Sequence, residues 1–264
     1  MRIGEVIAGQ YEVRKQWRRV TLLLDLSTGR HSVARPAEGF TSLDAVDLLR
    51  GVIHPSLPRV FGEIENEGIR WILFEYLPGV DLETRVRREG GALPAREAAA
   101  VTLGMARTVA FLHDDLERPL VHLDIKPEHI ILSGGTPCLI DFSSAVVLPG
   151  ENGTDNPDEG VRVREATPLY AAPETTAWRG PCIQSDIYSL GVTLFCALGG
   201  TLPTAGRLPD LRDLPGGDVP EGLRDVVGRC LMADPAARYP SMAALADALS
   251  DAGAVPAMSI GMRI

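Results

Sequence analysis

The pattern of this chain changes character once, at Pro78-Gly79, and that break limits the folds open to it. Before it, short apolar runs alternate with turn residues. Residues 11–13 and 20–24 read as a hairpin, 27–30 as a turn and 32–35 as a third strand, with two more strands at 60–62 and 71–76. Ser42 is placed to cap a helix running to about Arg50, with Leu43, Val46 and Leu49 on one face. After the break the helical period takes over. Pro94 opens a helix through His113 that is apolar nearly all round, the mark of a buried helix. Residues 185–198 repeat that pattern, with Ser185 as the expected cap and Gly199-Gly200 as the stop. Leu223, Val226, Val227, Cys230 and Leu231 keep amphipathic spacing, and so do Met242, Leu245 and Leu249. The predicted class is α+β, with a five-stranded small lobe and a helical large lobe.

Composition supports a folded chain with a real core. Hydrophobic residues make up 45 % and charged residues 23 %, and 264 residues suit one large domain or two packed lobes. Lys plus Arg is 26 against 35 for Asp plus Glu, a net charge of -9. That balance argues against nucleic acid or an anionic membrane surface as the main partner, but not against a nucleotide in a local pocket. Cys138, Cys182, Cys196 and Cys230 form no CxxC pair and stand in apolar or turn contexts, so buried free thiols in a reducing compartment are expected rather than zinc. The first residues lack an apolar signal core, and the longest apolar run, 190–198, is too short to span a bilayer. The expectation is a cytoplasmic chain with no membrane segment. Residues 149–165, rich in Gly, Asp and Asn, read as a mobile loop, and 251–264 as a loose tail.

Five motifs carry the chemistry. His122-Leu123-Asp124-Ile125-Lys126-Pro127-Glu128-His129 resembles the catalytic loop of protein kinases, and Asp141-Phe142-Ser143 resembles their DFG segment. Residues 166–174, ending Ala172-Pro173-Glu174, resemble the substrate-docking loop. Ser185-Asp186-Ile187-Tyr188-Ser189 resembles the central buried helix, and Asp234-Pro235-Ala236-Ala237-Arg238 a late loop whose Arg pairs with that Glu. All five stand in the family's order, with the flavour of bacterial Ser/Thr (Hanks-type) kinases. The resemblance implies a bilobal domain over residues 9–250, with a small lobe at 9–77 and a large lobe at 78–250. Phosphoryl transfer needs donors around the phosphates, metal on carboxylate or amide oxygens, and a base near the acceptor hydroxyl. By resemblance Asp124 is the base, Lys126 a phosphate contact and Asp141 the metal ligand. Val33 or Ala34, with Arg35, Phe74, Glu75, Leu77 and Ile131, would line the ATP cleft. His122 and Phe142 would pack in a spine with Leu49, and Glu174, Asp186 and Arg238 would be structural.

Other parts depart from the pattern. The span that should cover the phosphates reads Arg14-Lys15-Gln16-Trp17-Arg18-Arg19-Val20, without the glycines that let a backbone approach phosphate closely, so a tight hairpin is expected. Its basic residues read as a solvated face, with a partner's acidic patch or a phosphate as the sharper alternative. Arg35 replaces the third-strand lysine, and the two are not interchangeable. Ala45 stands where the helical glutamate should be, with Asp44 one residue off and facing elsewhere on the helix, and Leu123 stands where an arginine would receive an activating phosphate. His129 replaces the metal-binding asparagine. Imidazole suits Mn²⁺ or Zn²⁺ better than Mg²⁺. Ser143 replaces the DFG glycine.

Taken with the resemblance, these losses imply a pseudokinase: a regulatory module that binds a protein partner, holds ATP weakly or not at all, and needs Mg²⁺ or Mn²⁺ only if a nucleotide binds. An atypical active Ser/Thr kinase is the alternative, and a different nucleotide-transfer chemistry on the same fold is the third reading.

Overall fold

The computed structural model describes residues 1–17, 19–149, 167–176, 180–200, 209–214 and 219–253. The expected mobile loop beyond Pro149, the tail beyond Gly253, Arg18 of the basic cluster and Ala166 of the docking-loop motif lie outside the described residues.

Six antiparallel strands form the small-lobe sheet among the described residues: β1 (Val6–Ile7), β2 (Tyr11–Gln16), β3 (Thr21–Asp25), β4 (His31–Pro36), β5 (Val60–Asn66) and β6 (Ile69–Glu75), in the order β1-β2-β3-β4-β6-β5. The sequence implied five. The extra strand, β1, is two residues long, too short for an alternating pattern, and is fixed by backbone bonds between Val13 and the Gly4–Glu5 segment. Trp17 N–H donates to the Val20 carbonyl at 2.8 Å, so β2 and β3 close in the tight hairpin expected from the missing glycines. Alternation along β4 divides its side chains. Ala34 packs with Ile7, Val13, Leu23 and Leu73 on the outer face, while Val33 lies on the inner face with Phe74, Ile72 and Val46.

On that inner face sits α1 (Asp44–Leu49), which buries Ala45, Val46 and Leu49. The cap position belongs to Leu43 rather than Ser42, although the Ser42 hydroxyl does accept the Asp44 N–H at 3.1 Å.

The chain leaves the small lobe through Gly79 at φ +157°, where an added Cβ would lie 2.3 Å from the Leu132 carbonyl oxygen. Only glycine fits that crossing. Beyond it come β7 (Val80–Asp81), α2 (Leu82–Arg88), α3 (Ala95–Ala110), β8 (Leu120–Val121), β9 (Ile130–Ser133), β10 (Thr136–Leu139), β11 (Val146–Val147), α4 (Pro173–Thr176), α5 (Ile183–Ala197), α6 (Glu221–Cys230) and α7 (Met242–Asp251). The helix expected through His113 is α3 plus a wider π turn over Phe111–Asp115. As their composition implies, α3 and α5 are buried on most sides and form the centre of the main core with α6 and α7.

The cap of α5 is Cys182, not Ser185. Ser185 sits one turn in, accepting the Cys182 N–H at 3.2 Å and donating to Glu174 at 2.8 Å, because its hydroxyl is drawn to a buried carboxylate. The pairs β9–β10, β7–β9 and β8–β11 build two small sheets that hold the loops of the site. Cys138 and Cys230 are the buried free thiols expected; Cys182 and Cys196 are free but only half-buried.

Candidate active site

Asp186, fully buried at the start of α5, organises the loop after β8. Its carboxylate accepts the backbone N–H groups of His122 and Leu123, both at 2.8 Å, and touches His113 Nε2 at 2.9 Å. These bonds hold Leu123 at φ +64°, a backbone that a branched residue adopts only when its surroundings impose it. Leu123 is buried with Val121 and Val146, so the position where an arginine was expected is a packing position here. His122 is fully buried. Its Nδ1 accepts the Asp124 N–H at 3.3 Å, leaving Nε2–H to donate to the Ile140 carbonyl at 3.1 Å. Burial pushes this imidazole down, which suits a neutral ring, and it meets Phe142 edge-on at 4.9 Å as the spine reading implied.

Two residues on, three side chains close a ring. Lys126 Nζ donates to Asp124 Oδ2 at 2.8 Å and to Thr167 Oγ1 at 2.6 Å; Thr167 Oγ1 in turn donates to Asp124 Oδ1 at 2.7 Å. A carboxylate, an ammonium and a hydroxyl therefore meet within hydrogen-bond reach, with the carboxylate nearly buried.

Asp141 lies next to this ring, at φ +68°. Its Oδ1 accepts the Ser143 N–H at 3.2 Å and the Ser143 hydroxyl at 2.6 Å. Its Oδ2 is paired with the Arg35 guanidinium and lies 3.3 Å from His129 Nε2. The other His129 nitrogen, Nδ1, is 2.9 Å from the Asp124 carbonyl, so this side chain spans the two aspartates. Burial alone would push the Asp141 carboxyl up. The neighbouring His129 and the Arg35 guanidinium, with hydrogen bonds from Arg35 and Ser143, reverse that and hold it well below the usual carboxylate range. Burial pushes the His129 imidazole down against the pull of both aspartates. On the helix facing Arg35, Ala45 is fully buried and Asp44 is exposed, so the guanidinium turns to Asp141 rather than to α1. The Thr41 N–H donates to the Ser143 carbonyl at 2.7 Å, tying the loop before α1 to the same turn.

The donor set is a poor fit to Mg²⁺, which wants several oxygens in near-octahedral array. Both Asp141 oxygens are engaged by the chain's own donors, and an imidazole stands where an amide oxygen would serve. Among the described residues no group of three or more His, Cys, Asp or Glu side chains could hold a metal ion.

The adenine side is arranged differently. Phe74 is buried and stacks on Phe40 at 6.1 Å, with Val33 on the same face; Ala34, the other candidate for that wall, points to the opposite face. Leu77 and Ile131 are half-buried. Glu75 is bound to Arg59 by two side-chain bonds, at 3.0 and 3.1 Å, and its N–H donates to the Arg59 carbonyl. Its side chain and N–H are thus engaged within the small lobe. Farther off, Arg238 is fully buried and grips Glu174 through two bonds, at 2.7 and 2.8 Å.

Sequence reasoning missed two links, Arg35 to Asp141 and Ser143 to Asp141. The serine in place of glycine was the available signal for the second, since its hydroxyl is a donor two residues from a carboxylate.

An antiparallel small lobe over a helical large lobe, with the catalytic-loop and DFG-like turns at their junction, defines a protein-kinase fold. The protein kinase domain family matches residues 32–249, and the chain belongs to that family. The match begins in β4, leaving the β2–β3 hairpin outside it. Similar proteins include serine/threonine-protein kinase PBL36 of Arabidopsis thaliana, 33% identical over 159 residues (60% of this chain, 33% of that protein). Another is serine/threonine-protein kinase C of Synechocystis sp., 34% identical over 158 residues (58% of this chain, 28% of that protein). In both, the matched stretch covers a third or less of the relative's own length.

Proposed function

We propose that this kinase domain is a pseudokinase, a regulatory module that acts by binding a protein partner and transfers phosphate poorly or not at all. The observation that carries the reading is the state of Asp141. Ser143 occupies one oxygen, Arg35 and His129 face the other, and Arg35 is thereby committed as well. The carboxylate that would hold metal and the cation that would meet phosphate cancel each other. Three departures, at Arg35, His129 and Ser143, converge on that single group, and losses within one catalytic unit compound. ATP would bind weakly or not at all, and Mg²⁺ or Mn²⁺ would enter only with it. The motifs favour a bacterial kinase and the unpaired cysteines a reducing, cytoplasmic setting; no helix among the described residues is long and apolar enough to cross a membrane.

Titrating ATP calorimetrically, with and without Mg²⁺ or Mn²⁺, tests the reading. No heat and no thermal stabilisation are expected. Robust incorporation of labelled phosphate, abolished by Asp124→Asn, would overturn it.

One observation favours a second reading, an atypical active Ser/Thr kinase. Asp124, Lys126 and Thr167 keep a base, a cation and a hydroxyl within 2.8 Å of one another. Losing one electrostatic stabiliser costs about two to three orders of magnitude in rate, which leaves a slow enzyme rather than none. Metal-dependent ATP binding weakened by Asp141→Asn would bring this reading to the front.

A further inference from the structure

On the outer face of the small-lobe sheet, away from the cleft, lies a cavity of about 170 Å³. Its lining includes Ser32 and Leu73, which are 4 % and 3 % exposed, together with Tyr11, Asp25, Arg30 and Phe61. Along β4 the side chain of Ser32 points to the opposite face from Val33 and Arg35, so its hydroxyl opens away from the nucleotide cleft, while His31 lines the cavity at the open end of the strand.

Three features of this cavity stand without an internal explanation. The Ser32 hydroxyl is buried and has no hydrogen-bond partner, whereas buried hydroxyls are normally satisfied. Asp25 and Arg30 both line the cavity, yet they form no ion pair with each other; they are joined only by the Asp25 N–H to Arg30 carbonyl bond at 2.9 Å. The Asp25 Oδ1 accepts two bonds from Ser27 and one from Gln10, and Thr28 also bonds the carboxylate. The Arg30 guanidinium makes no hydrogen bond or close ion pair among the described residues, although it lies near enough to Glu75 to favour that carboxylate's charge. Phe61 is the bulged residue of β5, set between the Val60 and Gly62 pairings, and it stays 42 % exposed; a bulge re-aims a side chain in this way.

An anion and a cation held apart at a small cavity, with an apolar wall and an orphan hydroxyl between them, match one ligand chemistry. We propose that this cavity binds a small zwitterion of the α-amino-acid class with an apolar side chain. Its carboxylate would meet Arg30, its ammonium Asp25, and its side chain would lie on Leu73 and Phe61. The Ser32 hydroxyl would bond its polar end. A water takes about 30 Å³, so the cavity has room for about five or six waters, the bulk of such a molecule and far less than a nucleotide.

The test is thermal melting of the purified chain against the standard L-amino acids, followed by calorimetry with L-leucine, 4-methylpentanoate and 3-methylbutylamine. Saturable binding of L-leucine is expected, at least tenfold tighter than either singly charged analogue and at least tenfold weaker in Arg30→Gln. Arg30 is exposed and bonds nothing through its side chain, so that variant should fold normally. Ser32→Ala should weaken binding and leave the melting temperature without ligand unchanged or higher. No stabilisation by any amino acid would overturn the proposal, as would equal affinity for the amine or unchanged binding in Arg30→Gln. An ATP titration run beside it reports on the cleft alone, so failure at one site is not mistaken for failure at the other.

Discussion

Replacing Arg35 with methionine removes the cation paired with Asp141 while leaving an apolar stem in place. The pair is well enclosed, with side-chain exposures of 11% and 16%, so its hydrogen bonding is partly shielded from water. A hydrogen bond to a charged group is worth about 1.5–3 kcal/mol. Ser143 and His129 still contact the carboxylate, and some solvent reaches it, so the net loss should be about 1–2 kcal/mol. For a chain of this size that lowers the melting temperature by about 2–8 °C. The pH dependence follows from the sign of the shift. Asp141 is held below its unfolded value, so its contribution is complete above about pH 4 and is lost as pH falls toward the folded value. Without Arg35 the folded value rises toward the unfolded one, so the acid loss is smaller and is complete at higher pH.

The diagnostic part is the response to metal. In the parent chain Asp141 Oδ2 is paired with Arg35, and Mg²⁺ should not change the melting temperature. In Arg35→Met the carboxylate keeps its charge and loses its cation, so it becomes available to Mg²⁺ or Mn²⁺. At a metal concentration ten times the dissociation constant, the variant should recover about 1.4 kcal/mol, close to what it lost. Differential scanning fluorimetry in EDTA, in MgCl₂ and in NaCl of matched ionic strength separates site binding from screening. Equal stabilisation of parent and variant by Mg²⁺, or a folded variant with no metal response, would refute the idea that Arg35 is what occupies this site.

Three further outcomes follow from other parts of the molecule. Arg238→Ala leaves Glu174 buried without its bidentate partner and should cost about 3–5 kcal/mol in denaturant unfolding, with Arg238→Lys rescuing little because an ammonium cannot reproduce the two-pronged grip. Gly79→Ala forces a Cβ toward the Leu132 carbonyl at an unfavourable φ and should cost about 1–3 kcal/mol, read as a lower thermal midpoint. Burial pushes the Cys138 thiol up to about 11 and the Cys230 thiol up to about 12, so in the native state at neutral pH intact-mass analysis should find both resistant to iodoacetamide and alkylated only after unfolding.

How much of this was legible in the sequence depends on the range of the forces involved. The buried helices α3 and α5 were plain, because a helix apolar on all sides has nowhere to go but a core. The hairpin without glycines, the absence of a glutamate at Ala45 and the outward face of Asp44 were also local facts, and the fold keeps them. The two-residue strands and α2 escaped, since elements that short are set by their partners rather than by a period of their own. The cap of α5 was misplaced for a related reason: Ser185 looked like a cap, but Glu174 claims its hydroxyl.

Least legible was the most informative contact. Arg35 and Asp141 each carried a clear expectation alone, one as a substitute for lysine and the other as a preserved metal ligand. Sequence could register the first as a loss and the second as a retention, but not that the altered residue would pair with the preserved one. That pairing depends on Ala45. With no carboxylate on the buried face of α1, the nearest anion able to satisfy a mostly enclosed guanidinium is Asp141 itself, and burying Arg35 unpaired would cost far more than occupying that group. Missing glutamate and occupied aspartate are thus two ends of one substitution, and restoring a glutamate at position 45 should draw Arg35 back toward α1. Ala45→Glu should then bring the same gain in Mg²⁺ response as Arg35→Met, and in Ala45→Glu carrying Arg35→Met the two gains should not add.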